Sequence, residues 1–200
     1  MPIQTSEITV ILDRSGSMQA IASDAIGGFN AFVEAQRREE GTACLSLVLF
    51  DDHYEVPLRS VPLAAVPPLT SHSFLPRGST ALLDAVGRTI DDTASRVAAL
   101  PAAERPEKVI VAILTDGEEN ASHLHTPAQI RQKITHFREL LGWEFVFLAA
   151  NQDAFTAAEA IGIMKEDAAS FAANSAGTAA VFSDMAVRVA NKRKKAAHSN

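Results

Sequence analysis

The sequence alternates between two hydrophobic periods, and that alternation limits the folds open to it. Four short runs, Ile8–Leu12, Cys44–Phe50, Val109–Leu114 and Trp143–Ala149, are β-branched or aromatic and largely uninterrupted. Strands buried on both faces have this pattern. A shorter run, Tyr54–Leu58, follows Asp51-Asp52-His53 and is expected to be a hairpin partner at a sheet edge. Helical stripes lie between the runs. Met18, Ile21, Ala25, Phe29, Phe32, Val33 and Gln36 form the first, and Leu83, Val86, Ile90, Val97 and Leu100 the second, which Pro101 ends. The third has its own punctuation: Thr126 as cap, Pro127 at the first helical position, Gln129 to complete a capping box, and Gly142 as terminator. Its expected buried face is Ile130, Ile134, Phe137 and Leu141. Two more helices are expected over Asp153–Ile161 and from Thr178 to about Lys195. Alternating βα units imply an α/β chain with a doubly wound, Rossmann-like, mostly parallel central sheet and helices on both faces. Ligands of such sheets sit beyond the carboxyl ends of the strands.

Composition narrows the function. The net charge is −6, and residues 188–200 carry five basic and no acidic side chains, which leaves −11 on the rest. An acidic body disfavours a broad nucleic-acid or anionic-membrane footprint. The basic tail is expected to complement a helix dipole, with a patch for an acidic partner as the alternative. The single cysteine, Cys44, excludes an internal disulfide and is expected to be a buried small hydrophobe. The opening residues lack a basic segment followed by a long apolar core, so the expected location is the cytoplasm. No apolar run reaches the ~18 residues of a membrane span. The Pro-rich stretch Val61–Pro76 is expected to be an extended surface loop.

The chemistry-bearing residues follow the strands. Asp13-Arg14-Ser15-Gly16-Ser17 comes after the first, and in extended chain Asp13, Ser15 and Ser17 point the same way. Thr115-Asp116-Gly117-Glu118-Glu119-Asn120 follows the run at Val109–Leu114, and Arg77-Gly78-Ser79-Thr80 precedes the second helix. Asp13, Ser15, Ser17, Thr80 and Asp116 therefore offer two carboxylates and three hydroxyls at one sheet edge. Oxygen-only donors suit magnesium or manganese, with calcium also open, and not zinc or copper. Two carboxylates balance a divalent ion and leave a position for an incoming carboxylate. As a helix cap, Ser15 or Ser17 would need none of the other four residues.

This set resembles the von Willebrand factor type A domain and its metal-ion-dependent adhesion site, with the pattern Asp-x-Ser-x-Ser, a distant Thr and a distant Asp. The resemblance runs from about Ile8 to Ile161 and is to small stand-alone bacterial members. It implies a single domain over residues 1–200, with a core at about 6–162 and a C-terminal extension at 163–200 that ends in a basic helix. It also implies that Asp13, Ser15 and Ser17 lie near the ion and that Thr80 and Asp116 complete the shell directly or through water. The function implied is capture of a partner protein's acidic side chain, without catalysis. Arg14, Met18, Arg77 and the Pro-rich loop are expected at the rim. The alternative is a magnesium-dependent phosphatase of haloacid-dehalogenase-like type. That class needs a second Asp where this chain has Ser15, and a hydroxyl does not perform that proton transfer at neutral pH. No Gly-x-Ser-x-Gly elbow or phosphate-binding Gly-Lys loop is present. His123 and His125 are expected to be solvated, Glu119 to lie in a solvated turn, and Asp51 and Asp52 to form a turn.

Overall fold

The structure is a computed structural model that describes residues 5–150 and 153–194. Its strands are β1 (Thr5–Asp13), β2 (Thr42–Phe50), β3 (Tyr54–Pro62), β4 (Lys108–Thr115), β5 (Glu144–Ala150) and β6 (Ala168–Phe171). Its helices are α1 (Ala22–Arg37), α2 (Leu82–Ala99), α3 (Pro127–Leu141), α4 (Ala154–Ala160) and α5 (Ser175–Lys194). The six strands stand in the order β3-β2-β1-β4-β5-β6. All neighbours are parallel except the hairpin of β2 with β3 at one edge. β1 lies between β2 and β4, so strand order reverses there, and a crevice opens at the carboxyl ends of β1 and β4.

Period-two alternation divides the core into two layers. Ile8, Val10 and Leu12 of β1, with Ile110, Ala112 and Leu114 of β4, face Phe29, Phe32, Phe182 and Met185 of α1 and α5. Ile11, Val111, Ile113 and Phe147 face Val86, Ile90, Ile130 and Ile134 of α2 and α3. α3 starts and stops as its sequence predicts: both halves of the Thr126–Gln129 capping box are made and Gly142 is left-handed. Of its expected face, Ile130 and Ile134 are buried, and Phe137 is partly covered with its ring 4.5 Å from that of Trp143. Leu141, at the last turn, is instead exposed.

Several other expectations are corrected. The first helix opens as a 3-10 segment over Gly16–Ile21 and becomes α-helical only at Ala22. β6 was not expected; Ala168-Ala169-Ser170-Phe171 is too short and alanine-rich to show a strand pattern, and pairing with β5 forms it. The Pro-rich stretch is no free loop, because β3 extends to Pro62 and Leu63, Val66, Leu69 and Phe74 enter the core. Asn30 holds the strap at Leu69 through both backbone groups, at 3.0 and 2.8 Å. Cys44 is only half-buried, though burial does raise its thiol pKa. Among the described residues, no helix is long and apolar enough to cross a membrane.

The basic end of α5 places Lys192, Arg193 and Lys194 in the last turn of the helix, where they complement its dipole as expected, and it also finds partners across the fold. Lys192 is buried against Glu144 and Asp167, 2.7 Å from each. Arg193 is buried and donates to the carbonyls of Gln36, Glu40 and Gly41 at 2.8, 3.2 and 3.3 Å. It thereby ties α5 to the end of α1, where the Gln36 carbonyl also accepts from the Glu39 N–H and those of Glu40 and Gly41 lie beyond the helix. Lys194 pairs with Glu39, and Lys195 lies outside the described residues. Arg193→Ala is expected to lower stability by about 2–3 kcal/mol, the scale for hydrogen bonds made by a buried charged group, as measured by urea unfolding. A change below about 0.5 kcal/mol, the scale of ordinary surface substitutions, would refute this role.

Candidate metal centre

Strand register builds the site. Leu12 stands opposite Leu114, so the next residues, Asp13 and Thr115, are neighbours at the carboxyl edge. Thr115 Oγ1 donates to Asp13 Oδ2 at 2.5 Å, and the Ser15 N–H donates to Asp13 Oδ1 at 2.6 Å. Ser15 Oγ is 3.0 Å from Ser17 Oγ, which in turn donates to Asp116 Oδ1 at 2.7 Å. Thr80 arrives from the strap. Its N–H donates to Asn120 Oδ1 at 2.9 Å, and its carbonyl accepts from the Asn120 and Ala121 N–H groups. Gly117 is the common floor: a Cβ there would lie 3.2 Å from Thr80 Oγ1, 3.4 Å from Ser17 Oγ and 3.9 Å from Ser15 Oγ. All five predicted side chains thus meet at one place. Asp13, Ser15, Thr80 and Asp116 are buried, while Gly16 and Ser17 are exposed and leave one side open.

Ser15 occupies the cap position of the 3-10 segment, but its side chain makes no capping bond. The hydroxyls are committed to one another and to Asp116. Burial, with a smaller contribution from the Asp116 charge, raises the Asp13 pKa to about 6 against the opposing Thr115 and Ser15 hydrogen bonds. Burial also raises Asp116, opposed by Ser17. Among the described residues neither carboxylate has an ion-pair partner; Arg14, next to Asp13, turns away to Asp51 and Glu55. Two carboxylates lacking a cation, three hydroxyls and a space kept clear by a glycine fit a hard, oxygen-liganded divalent cation.

No protein-family model matches the chain, and no curated protein matches it. Solved structures do. Proximal thread matrix protein 1 from the mussel byssus, with a zinc-occupied MIDAS motif, superposes with a TM-score of 0.64 at 16% identity, covering 94% of this chain and 46% of that one. The vWF domain of the type V pili tip protein Mfa5 from Porphyromonas gingivalis gives 0.66 at 12% identity, covering 100% and 99%. This chain has the von Willebrand factor type A fold. Manganese-loaded TRAP protein of Plasmodium vivax gives 0.59 at 13% identity, covering 89% and 72%. The chain spans less than half the length of the byssus protein and of a von Willebrand factor type A protein from Catenulispora acidiphila.

Within this vWA-type fold the expected rim is corrected. Met18 is wholly buried in the core and Arg14 is 4% exposed, so neither borders the opening. Arg77 is half-exposed and pairs with Asp51 and Glu55. Asp51 is fully buried between Arg14 and Arg77. Asp51, Asp52 and His53 bring one ligand atom each within 4.8 Å of one another, but two guanidiniums on Asp51 oppose a cation there. Glu119 does not lie in a solvated turn; it accepts from the N–H groups of Leu83, Ala121 and Ser122 at 2.8, 2.9 and 2.7 Å. Asp84 accepts from His123, Leu124 and His125 N–H groups, which fastens the loop after Asp116 to α2. His123 is exposed as expected, whereas the His125 ring packs over Gly87. Thr115, Asn120 and Glu119 hold the predicted ligands in place, and only their adjacency to Asp116 in the sequence hinted at this.

The native state binds the Asp13 proton more tightly than the unfolded chain does between the ordinary value of 3.8 and about 6. Stability from neutral Asp13 is therefore complete below the lower value and lost as pH rises through the upper one. In metal-free protein, Asp13→Asn should gain about 2 kcal/mol on the wild type between pH 4 and pH 7. Urea midpoints across that range read the gap, and a gap that does not widen refutes the assignment.

Proposed function

We propose that Asp13, Ser15, Ser17, Thr80 and Asp116 hold a magnesium or manganese ion, with calcium as a further candidate, and that the site captures an acidic side chain of a partner protein. The observation that carries this is the convergence of three hydroxyls and two unpaired carboxylates from three segments around the space above Gly117. The zinc-occupied motif of the byssus protein and the manganese-loaded TRAP protein support a divalent ion at such a site. When bound, the ion supplies a coordination position for a carboxylate from outside. The chain does the rest: Thr115 and the Ser15 amide orient Asp13, Ser17 orients Asp116, and Asn120 fixes the backbone of Thr80. The open side at Gly16 and Ser17 is where the partner enters. No proton donor stands where a phosphatase requires its second aspartate, because Ser15 occupies that place. The function is binding, not turnover.

Titration calorimetry on chelator-stripped protein is expected to show one magnesium or manganese site. Asp13→Ala should weaken it at least about 100-fold while the circular dichroism spectrum is retained, since a charged ligand is lost outright. Gly117→Val should weaken it comparably by filling the space. With manganese bound, N-acetylglutamate amide should lower the water-proton relaxation rate by displacing water, and the glutamine analogue should not. Absence of metal binding at millimolar concentrations sinks the proposal. Turnover of a phosphate ester that Asp13→Asn abolishes would put the phosphatase in its place.

A binding site that needs ionised carboxylates competes with protons. The rise in unfolding temperature on adding magnesium should therefore be small at pH 5 and grow through about pH 6, where Asp13 titrates in the metal-free protein. A magnesium effect that is the same at pH 5 and pH 7 contradicts this, as read by calorimetric scans.

A further inference from the structure

We propose that Asp51, which touches none of the five ligating side chains, is a positioning residue that sets the spacing between the Ser15–Ser17 loop and Thr80. This rests on the metal reading above. Asp51 is a fully buried carboxylate at the tip of the β2–β3 hairpin. One of its oxygens, Oδ2, accepts from Arg14 Nε at 3.1 Å and from Arg77 Nε at 2.9 Å. Arg14 follows one ligand, Asp13, and precedes another, Ser15. Arg77 stands three residues before a third, Thr80. The same carboxylate is therefore attached to both segments that supply the hydroxyls.

Two like charges share that oxygen and would separate without it. Glu55 braces them from the solvent side, at 2.7 Å from Arg14 and 2.9 Å from Arg77, but it is half-exposed and worth less. The backbones of the two segments are tied at the same place. The Arg77 N–H donates to the Arg14 carbonyl at 2.9 Å, and the Gly16 N–H to the Gly78 carbonyl at 3.2 Å. The Asp51 carbonyl accepts from Ala81 N–H at 3.0 Å, one residue beyond Thr80. Gly78 is left-handed at φ +65, and a Cβ there would lie 2.0 Å from Asp52 Oδ1, so the hairpin tip presses directly on the strap. Removing the Asp51 charge releases the guanidiniums and loosens these cross-loop bonds, and Thr80 then drifts from the two serines. Residues that orient metal ligands typically cost 10–100-fold in affinity when altered.

The test compares wild type, Asp51→Asn, Arg77→Lys and Glu7→Gln. Glu7 is a control: it is also a buried carboxylate paired with an arginine, 2.7 Å from Arg96. It lies six residues before Asp13 on β1, about 20 Å away in an extended strand. Magnesium affinity is measured by calorimetry, and amide exchange of Gly16 and Arg77 is followed in metal-free protein. Asp51→Asn should weaken magnesium about 10–100-fold and speed both amides at least tenfold. Arg77→Lys, which loses its planar fork while keeping its charge, should give a smaller change of the same kind. Glu7→Gln should lower the unfolding temperature yet leave affinity within twofold and both amides unchanged. If Asp51→Asn stays folded with affinity within twofold of wild type, or if its amides do not change, the proposal is overturned. If Asp51→Asn does not fold, Arg77→Lys decides, and unaltered affinity overturns the proposal. Should the wild type bind no magnesium, the metal reading falls and the exchange rates alone decide whether Asp51 spaces the two loops.

Discussion

Two carboxylates, Asp13 and Asp116, are driven into the end of an apolar sheet where neither has a cation of the protein's own. Burying charge without a partner is costly, and chains usually avoid it by placing a guanidinium or ammonium alongside. Arg14 stands next in sequence to Asp13 and is the obvious candidate. It is diverted instead to Asp51 and Glu55 on the adjacent hairpin. A guanidinium facing Asp13 would satisfy the site permanently and close it. The ion pairs beside the crevice therefore do two things at once: they balance Arg14 and they keep it out. Hydroxyls from Ser15, Ser17, Thr80 and Thr115 line the remaining surface, because they add oxygen without adding charge.

The elements most legible in the sequence were those whose signal is local. α3 could be bounded from its capping box and Gly142, and the central strands from uninterrupted apolar runs. β6 and the 3-10 start of the first helix were not legible. β6 exists because β5 offers it an edge, and the 3-10 start coincides with serine hydroxyls drawn to Asp116 rather than to capping. The five proposed ligands were readable for a related reason: their types and order carry the chemistry without reference to the rest of the chain.

Their supports were not readable. Thr115 matters because β1 and β4 are in register, and Asn120 and Glu119 because the loop after β4 folds over the start of α2. Asp51 is a turn residue, as the sequence suggests, but it is also the centre of an ion network that the sequence does not reveal. The basic tail does end a helix as expected, but a run of positive charge along a chain says nothing about the carbonyls and carboxylates that α5 meets when it packs. In each case the decisive partner is distant in sequence, and no local pattern records it.

The strap from Leu63 to Ala81 has one more consequence. Four apolar anchors and the double clasp from Asn30 hold it through contacts within the chain. In the proposed capture, a partner meeting this face encounters a surface that is already shaped. Association then forfeits little chain entropy on this side, and recognition is left to geometry and charge rather than to a segment folding upon contact.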